Sequence, residues 1–341
     1  MKRAVLLCGA LLLACITAGL AWVGVRSLDE PLQVSAKVRF KVAPGASFAR
    51  VAAELASQGV IAQPRAWVLY ARWSGLASAV KAGEYEIPPG TTPRELLAKM
   101  VSGQVLLHSF TIVDGWRVQD MLNALRRNPD VLTSLPEETP DLMAKLGLAG
   151  TAPEGQFLPE TYRFAEGTTD VELLRQAHAA LTHELDAVWM TRDPDLPLRS
   201  ADELLIMASI VQKESGLPQE LGKIAGLYLH RFAIRMPLQA DPTVIYGLGD
   251  RYDGHIHMLD LRTDGPFNTY TRAGLPPTPI ALAGAAAIRA TAHPEKTDAI
   301  YFVASTKDDG SHVFSETLEQ HNAAVARYVE HQRRKAGEGT R

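Results

Sequence analysis

Apolar positions follow two rhythms along this chain, and the places where each holds mark out its parts. Leu204 to Val211 is apolar everywhere except Ser209, too continuous for a helix with a solvated side, and predicts a buried helix. Ser200 followed by Glu203 has capping-box spacing at its start, and Ser215-Gly216 with Pro218 supply a stop. A second helix is predicted from Pro218 to Ala233, with Ile224, Leu227, Tyr228 and Phe232 as its core stripe and His230 and Arg231 in polar surroundings. Nearer the N-terminus the pattern repeats. Gly45, Val51 and Leu55 have the spacing of Gly90, Leu96 and Met100, and again of Gly115, Met121 and Leu125. In each copy a strand-like stretch precedes the glycine (Val38–Val42, Glu84–Ile87, Phe110–Val113) and an amphipathic helix follows it. Another helix is expected over Pro64–Trp73, then mostly helix with proline-marked loops from Gly115 to Pro197. Further on come a small-residue helix over Ala281–Ala292, a strand over Ile300–Ser305 with core side chains, a helix over Thr317–Arg333 and a mobile charged tail.

Ala4 to Val25 breaks both rhythms: 22 residues without a charge, bracketed by Lys2-Arg3 and Arg26. As a helix it would span roughly 33 Å, enough for a hydrocarbon core. Lys2 and Arg3 would stay cytoplasmic, sending the rest of the chain across, with Trp22 as an interfacial anchor. A cleaved signal peptide is the rival reading, but no small-x-small site follows the run. A lipoprotein signal ending in Cys15 is another, against which the run continues ten residues past that cysteine. A short polar connection, about Ser27 to Gln33, would follow the anchor.

Composition removes several functions. The 341 residues carry 35 Lys+Arg against 38 Asp+Glu, a net charge of −3, so nothing points to nucleic acid. Cys8 and Cys15 both fall in the apolar run, leaving no disulfide and no thiolate site beyond it. The histidines, His255/His257 and His312/His321 among them, lack zinc-site spacing, and neither a GxSxG elbow nor a phosphate loop is present. No metal and no organic cofactor are expected.

The candidate chemistry lies at the end of the buried helix. Glu214 stands seven, four and three residues after Met207, Ile210 and Val211, and so shares their face. Apolar neighbours and the negative end of the helix dipole both disfavour its charged form, which is how a general acid is kept protonated near neutrality. The bland reading is a glutamate pointing into solvent at a frayed end. Gln239 and Asp241 are polar positions in an apolar stretch; either they satisfy backbone groups or they face a ligand. Glu160 and Tyr162 either line a cleft or fix a turn.

Ala208-Ser209-Ile210-Val211-Gln212-Lys213-Glu214, followed by Met236-Pro237-Leu238-Gln239-Ala240-Asp241-Pro242-Thr243-Val244-Ile245-Tyr246, resembles the MltG/YceG family of endolytic murein transglycosylases. Asn268-Thr269-Tyr270, Leu275 to Ile280, Tyr301 to Ala304, Gly310 to Phe314 and His321-Asn322 follow in that family's order. One departure is Gln212, where the family often has glutamate. The resemblance makes Glu214 the catalytic residue and puts Gln239 and Asp241 on the cleft wall. Asn268 and Tyr270 are expected as further substrate contacts, and the side-chain dipoles of Gln239 and Asn268 would ease the developing charge. It implies cleavage of the MurNAc–GlcNAc β-1,4 bond of nascent glycan strands with a 1,6-anhydroMurNAc end, terminating strand elongation beside the peptidoglycan synthases. The alternatives are a hydrolytic muramidase with Asp241 as second carboxylate, and a non-enzymatic wall-binding scaffold. Lys37–Ile87 resembles a LysM-like module in which Trp67, Tyr70 and Trp73 either pack the core or stack on sugar. The expected fold is α+β: a cytoplasmic stub and transmembrane helix (1–30), the LysM-like module (31–104), a larger, mostly helical catalytic domain with a small sheet (105–333) on the periplasmic side of the inner membrane, and the tail (334–341).

Overall fold

The computed structural model describes residues 23–135 and 140–338. Nearly all of the predicted membrane segment, with Cys15 and Trp22, lies outside the described residues; among them no helix is long and apolar enough to cross a membrane. Among the described residues the architecture is mixed α+β, mostly helical, with three two-stranded sheets. It divides into two compact units: the chain as far as His108 together with Arg163–Thr168, and the remainder.

The first unit holds β1 (Val38–Val42), α1 (Phe48–Ser57), α2 (Pro64–Trp73), β2 (Gly83–Ile87) and α3 (Pro93–Ser102). β1 and β2 pair antiparallel with Phe40 opposite Tyr85. The repeat has a backbone cause. Gly45, Gly90 and Gly115 take φ of 73°, 87° and 76°, a left-handed turn that glycine adopts without a Cβ clash, and a helix starts three residues after each. Ser47 caps α1 by accepting from the Arg50 N–H, and Thr92 with Glu95 forms a full capping box on α3. The two apolar positions of every copy are buried. Trp67 is core, edge-on to Phe48 and donating from Nε1 to the Pro93 carbonyl at 2.8 Å. Ser27–Gln33 is not a free connection: Leu28 and Leu32 are buried in this core, and Asp29 pairs with Arg94 at 2.8 Å.

Next come β3 (Leu107–Thr111), α4 (Val118–Arg126), α5 (Pro140–Leu146) and β4 (Thr161–Ala165). β3 starts earlier than its alternation suggests, because its partner β4, fifty residues on, decides where the ladder runs. Further helices of the second unit are α6 (Asp170–Thr191), α7 (Ala201–Glu214), α8 (Leu221–Ala233), α9 (Asp241–Leu248), α10 (Met258–Arg262) and α11 (Ala285–Ala292). The hairpin β5 (Tyr301–Ala304) and β6 (His312–Ser315) and then α12 (Leu318–Glu338) complete it.

At the centre of this unit lies α7, against which α11, α8, α6 and α9 pack. Ser209, the polar break in its apolar run, is fully buried and satisfied at both ends. It donates to the Ile206 carbonyl at 2.7 Å and accepts the Ile280 N–H at 3.0 Å, tying the proline-rich loop to the helix. Gln212 accepts the Gly284 N–H at 3.1 Å, a task a glutamate could equally perform, which accounts for the departure noted at that position. Two expectations are corrected. Residues 281–284 lie outside the helix, which starts at Ala285, because Leu282 exchanges backbone hydrogen bonds with Gly115 and Trp116 and so cannot join it. The charged tail does not begin at Arg334: α12 continues to Glu338, and Lys335 reaches Asp308 at 3.0 Å.

Candidate active site

α7 ends where its backbone turns extended at Ser215 (φ −140°, ψ 137°), and Glu214 is its last helical residue. The side chain opens into a cavity of about 450 Å³, within the range of small-ligand clefts. Tyr228 and Arg231 from α8, Gln239 and Asp241 at the start of α9, Tyr270, Tyr301, Phe302, and Leu318, His321 and Asn322 from α12 complete the lining. The Tyr228 hydroxyl donates to Glu214 Oε1 at 2.5 Å. Burial pushes the Glu214 carboxyl up to about 7; the Tyr228 hydrogen bond opposes this, the Asp241 charge adds to it and the Arg231 charge subtracts. Near neutrality the group is therefore divided between acid and carboxylate.

Of the sequence-predicted site residues, Glu214, Gln239, Asp241 and Tyr270 come together in this lining. Gln239 is exposed and has φ 51°, a left-handed backbone held by its N–H on the Thr269 carbonyl and by the next N–H, of Ala240, on Thr269 Oγ1. Such strain in a non-glycine residue persists only where the surroundings enforce it. Asp241 opens α9, and its Oδ1 accepts the Tyr270 hydroxyl at 2.5 Å. Burial, then the bond to Asp241, hold the Tyr270 phenol in its neutral form.

Asn268 has a different task from the one expected. It is buried; its Nδ2 donates to the carbonyls of Asp260, Leu261 and Thr263, and its Oδ1 accepts the Tyr270 N–H at 2.9 Å. With both polar atoms of its amide engaged it clips the α10 loop and sets Tyr270. Glu160 and Tyr162 stay out of the cavity, Tyr162 being buried with its hydroxyl on the Leu158 carbonyl at 2.7 Å. Glu154, a second carboxyl raised by burial, accepts the Val118 N–H at 3.0 Å and caps α4.

The apolar pattern predicts Tyr228, Tyr301 and Phe302 in the core and Arg231 in polar surroundings. Tyr228 does sit in the core stripe, but a buried phenol needs a partner, and that requirement was the available signal. Arg231 is buried, its guanidinium held by the carbonyls of Ile300 and Leu238 at 2.6 Å each, a fixed positive charge behind the carboxyl. His321 stacks on Tyr301 with centroids 5.1 Å apart; its Nδ1 is buried without a hydrogen-bond partner. Among the described residues no group of three or more His, Cys, Asp or Glu is placed to hold a metal ion.

The chain belongs to the YceG-like family, whose profile matches residues 40–327. It is similar to the endolytic murein transglycosylase of Bacillus subtilis (strain 168), 31% identical over 324 residues and covering 89% of both chains. The protein of the same description from Streptococcus pneumoniae (strain D39) is 25% identical over 348 residues, which cover 89% of this chain and 61% of the pneumococcal one. A crystal structure of a yceG-like protein from Listeria monocytogenes superposes with a TM-score of 0.51 at 26% identity, covering 85% of this chain and 99% of that one.

Proposed function

We propose that this chain is an endolytic peptidoglycan lytic transglycosylase that cuts the β-1,4 bond between MurNAc and GlcNAc inside glycan strands. The observation that carries the reading is a carboxyl held near neutrality at the end of a buried helix, opening into a groove with aromatic and amide walls. Protonated Glu214 donates to the glycosidic oxygen as the bond to C1 breaks. The carboxylate so formed, steadied by the Tyr228 hydroxyl and the Arg231 charge, then takes the proton of the muramic 6-hydroxyl as that oxygen attacks C1. A 1,6-anhydro ring closes, the proton returns to Glu214 and water is not consumed. One carboxyl serves as acid and then base, for which a pKa near the working pH is the best compromise. The intramolecular nucleophile brings its own high effective concentration, so no second carboxylate has to activate water.

Substrate contacts fall to Gln239, Asp241 and Tyr270, with Asn268 acting through Tyr270. The names of the relatives support murein as the substrate. The apolar run Ala4–Val25 anchors the chain in the inner membrane, N-terminus cytoplasmic, with the remainder periplasmic, where the enzyme would terminate strand elongation next to the synthases. Asp241 lines the same groove and so keeps a muramidase as the second reading. The masses of products from wall polymer treated with the protein separate the two. Transglycosylase products carry anhydro ends; muramidase products are heavier by one water and end in a reducing sugar.

A further inference from the structure

The first unit presents a face that this reaction does not use. Leu69 and Trp73 on α2 are 71% and 85% exposed, while Trp67 on the same helix is fully buried. Arg65, Ala66, Leu69, Arg72 and Trp73 follow the i, i+4, i+7 spacing of a single helix face. Both arginines are exposed, and α2 contains no acidic residue. The face is therefore apolar and cationic at once, with an indole at its end.

The N-terminal stretch says what covers it. Val23 to Arg26 are helical and pass beside this face: a Cβ built on Gly24 would lie 3.6 Å from that of Ala66. Val25 ends the apolar run, and only three residues later the unit grips the chain. Leu28 is 2% exposed and its carbonyl accepts the Arg94 N–H at 3.2 Å; the Leu32 N–H reaches the Thr91 carbonyl at 2.8 Å. Three residues reach at most about 10 Å. A run that ends at the edge of the hydrocarbon thus leaves the first unit no farther off than the headgroup layer, where tryptophan settles and arginine meets phosphate.

We infer that the Arg65–Leu69–Arg72–Trp73 face of α2 rests on the anionic headgroup layer of the membrane that holds the N-terminal run. The inference depends on the anchoring proposed above. Lipid contact fixes the height of the first unit and confines it to glycan lying close to the bilayer.

Full-length protein in phosphatidylglycerol–phosphatidylethanolamine vesicles with brominated acyl chains tests this through tryptophan quenching, comparing the parent with Trp73→Phe and with Trp22→Phe. The share of emission belonging to Trp73 is expected to be at least halved by the brominated lipid, and restored in Arg65→Glu/Arg72→Glu or in phosphatidylcholine. The Trp22 share should be quenched in all of these. If Trp22 is quenched and Trp73 is not, the chain is anchored and the inference is wrong. If neither is quenched, the anchoring reading fails and takes the inference with it. Protection of Trp73 from aqueous iodide in detergent, on adding glycan strands or raising the protein concentration, would give the face to sugar or to a second copy and overturn lipid docking.

Discussion

Replacing Tyr228 by phenylalanine removes one hydrogen bond and little else. The ring keeps its edge contact with Phe302, centroids 6.0 Å apart, and no cavity opens. What goes is the hydroxyl on Glu214 Oε1, the largest influence opposing the burial that raises this carboxyl to about 7. A hydrogen bond to a charged group contributes about 1.5–3 kcal/mol, which at 1.4 kcal/mol per tenfold lifts the Glu214 pKa by about one to two pH units. The variant would thus be richer in acid above neutrality but poorer at holding the carboxylate that must act as base. The assay is the pH dependence of kcat/KM for release of anhydro-ended fragments, which reports the free enzyme's ionisations. In the parent the alkaline limb falls away near pH 7; in Tyr228→Phe it should move up by about one to two pH units while the plateau drops by roughly tenfold. Thermal stability at pH 5, where Glu214 is protonated in both proteins, controls for damage to the fold. An alkaline limb that stays in place or moves down would refute the assignment of Tyr228 as the residue holding this carboxyl.

Other expectations follow from single contacts. Between its ordinary value of 4.5 and about 7 the folded chain keeps on Glu214 a proton that the unfolded chain has lost, so this group's contribution to stability is lost as pH rises through that window. Glu214→Gln should therefore be more stable than the parent at pH 8, by up to about 3 kcal/mol, and equal to it at pH 4, as read by urea unfolding. Asn268→Ala frees three carbonyls and the Tyr270 N–H, so it should cost about 2–3 kcal/mol of stability and raise KM; unchanged stability would return Asn268 to the groove wall. Gln239→Gly relieves a left-handed backbone, and calorimetry should find no loss of stability, with a gain of up to about 1 kcal/mol, while kcat/KM falls. Gly226→Ala drives a Cβ into the Glu295 carbonyl and should destabilise by about 1–3 kcal/mol, whereas Gly216→Ala, with nothing near it, should leave the denaturation midpoint in place.

Much of the framework is legible from local pattern, since the deciding interactions are local. The three glycine repeats, the Pro64–Trp73 helix and the buried helix ending at Glu214 all declare themselves through caps and periodicity. The misjudged features depend on distant partners. β3 takes its register from β4, residues 281–284 are drawn out of their helix by the Gly115–Trp116 backbone, and Ser27–Gln33 is held by Leu28, Leu32 and Arg94. The site divides in the same way. A polar residue interrupting an apolar run, such as Gln239 or Asp241, stands out in one dimension. Tyr228 does not, because at its helical position a core tyrosine and one aimed at a carboxyl have the same spacing. Asn268 could not be assigned either, as the carbonyls it binds belong to a loop whose course no periodicity describes.

Purified Glu214→Gln incubated with glycan strands, with Asp241→Asn alongside, tests the acid–base work of Glu214 most directly. Release of anhydro-ended fragments should fall about 10²–10⁴-fold in Glu214→Gln, with folding intact, and far less in Asp241→Asn. Cleavage by Glu214→Gln at the parent rate, or a greater loss in Asp241→Asn, would contradict it.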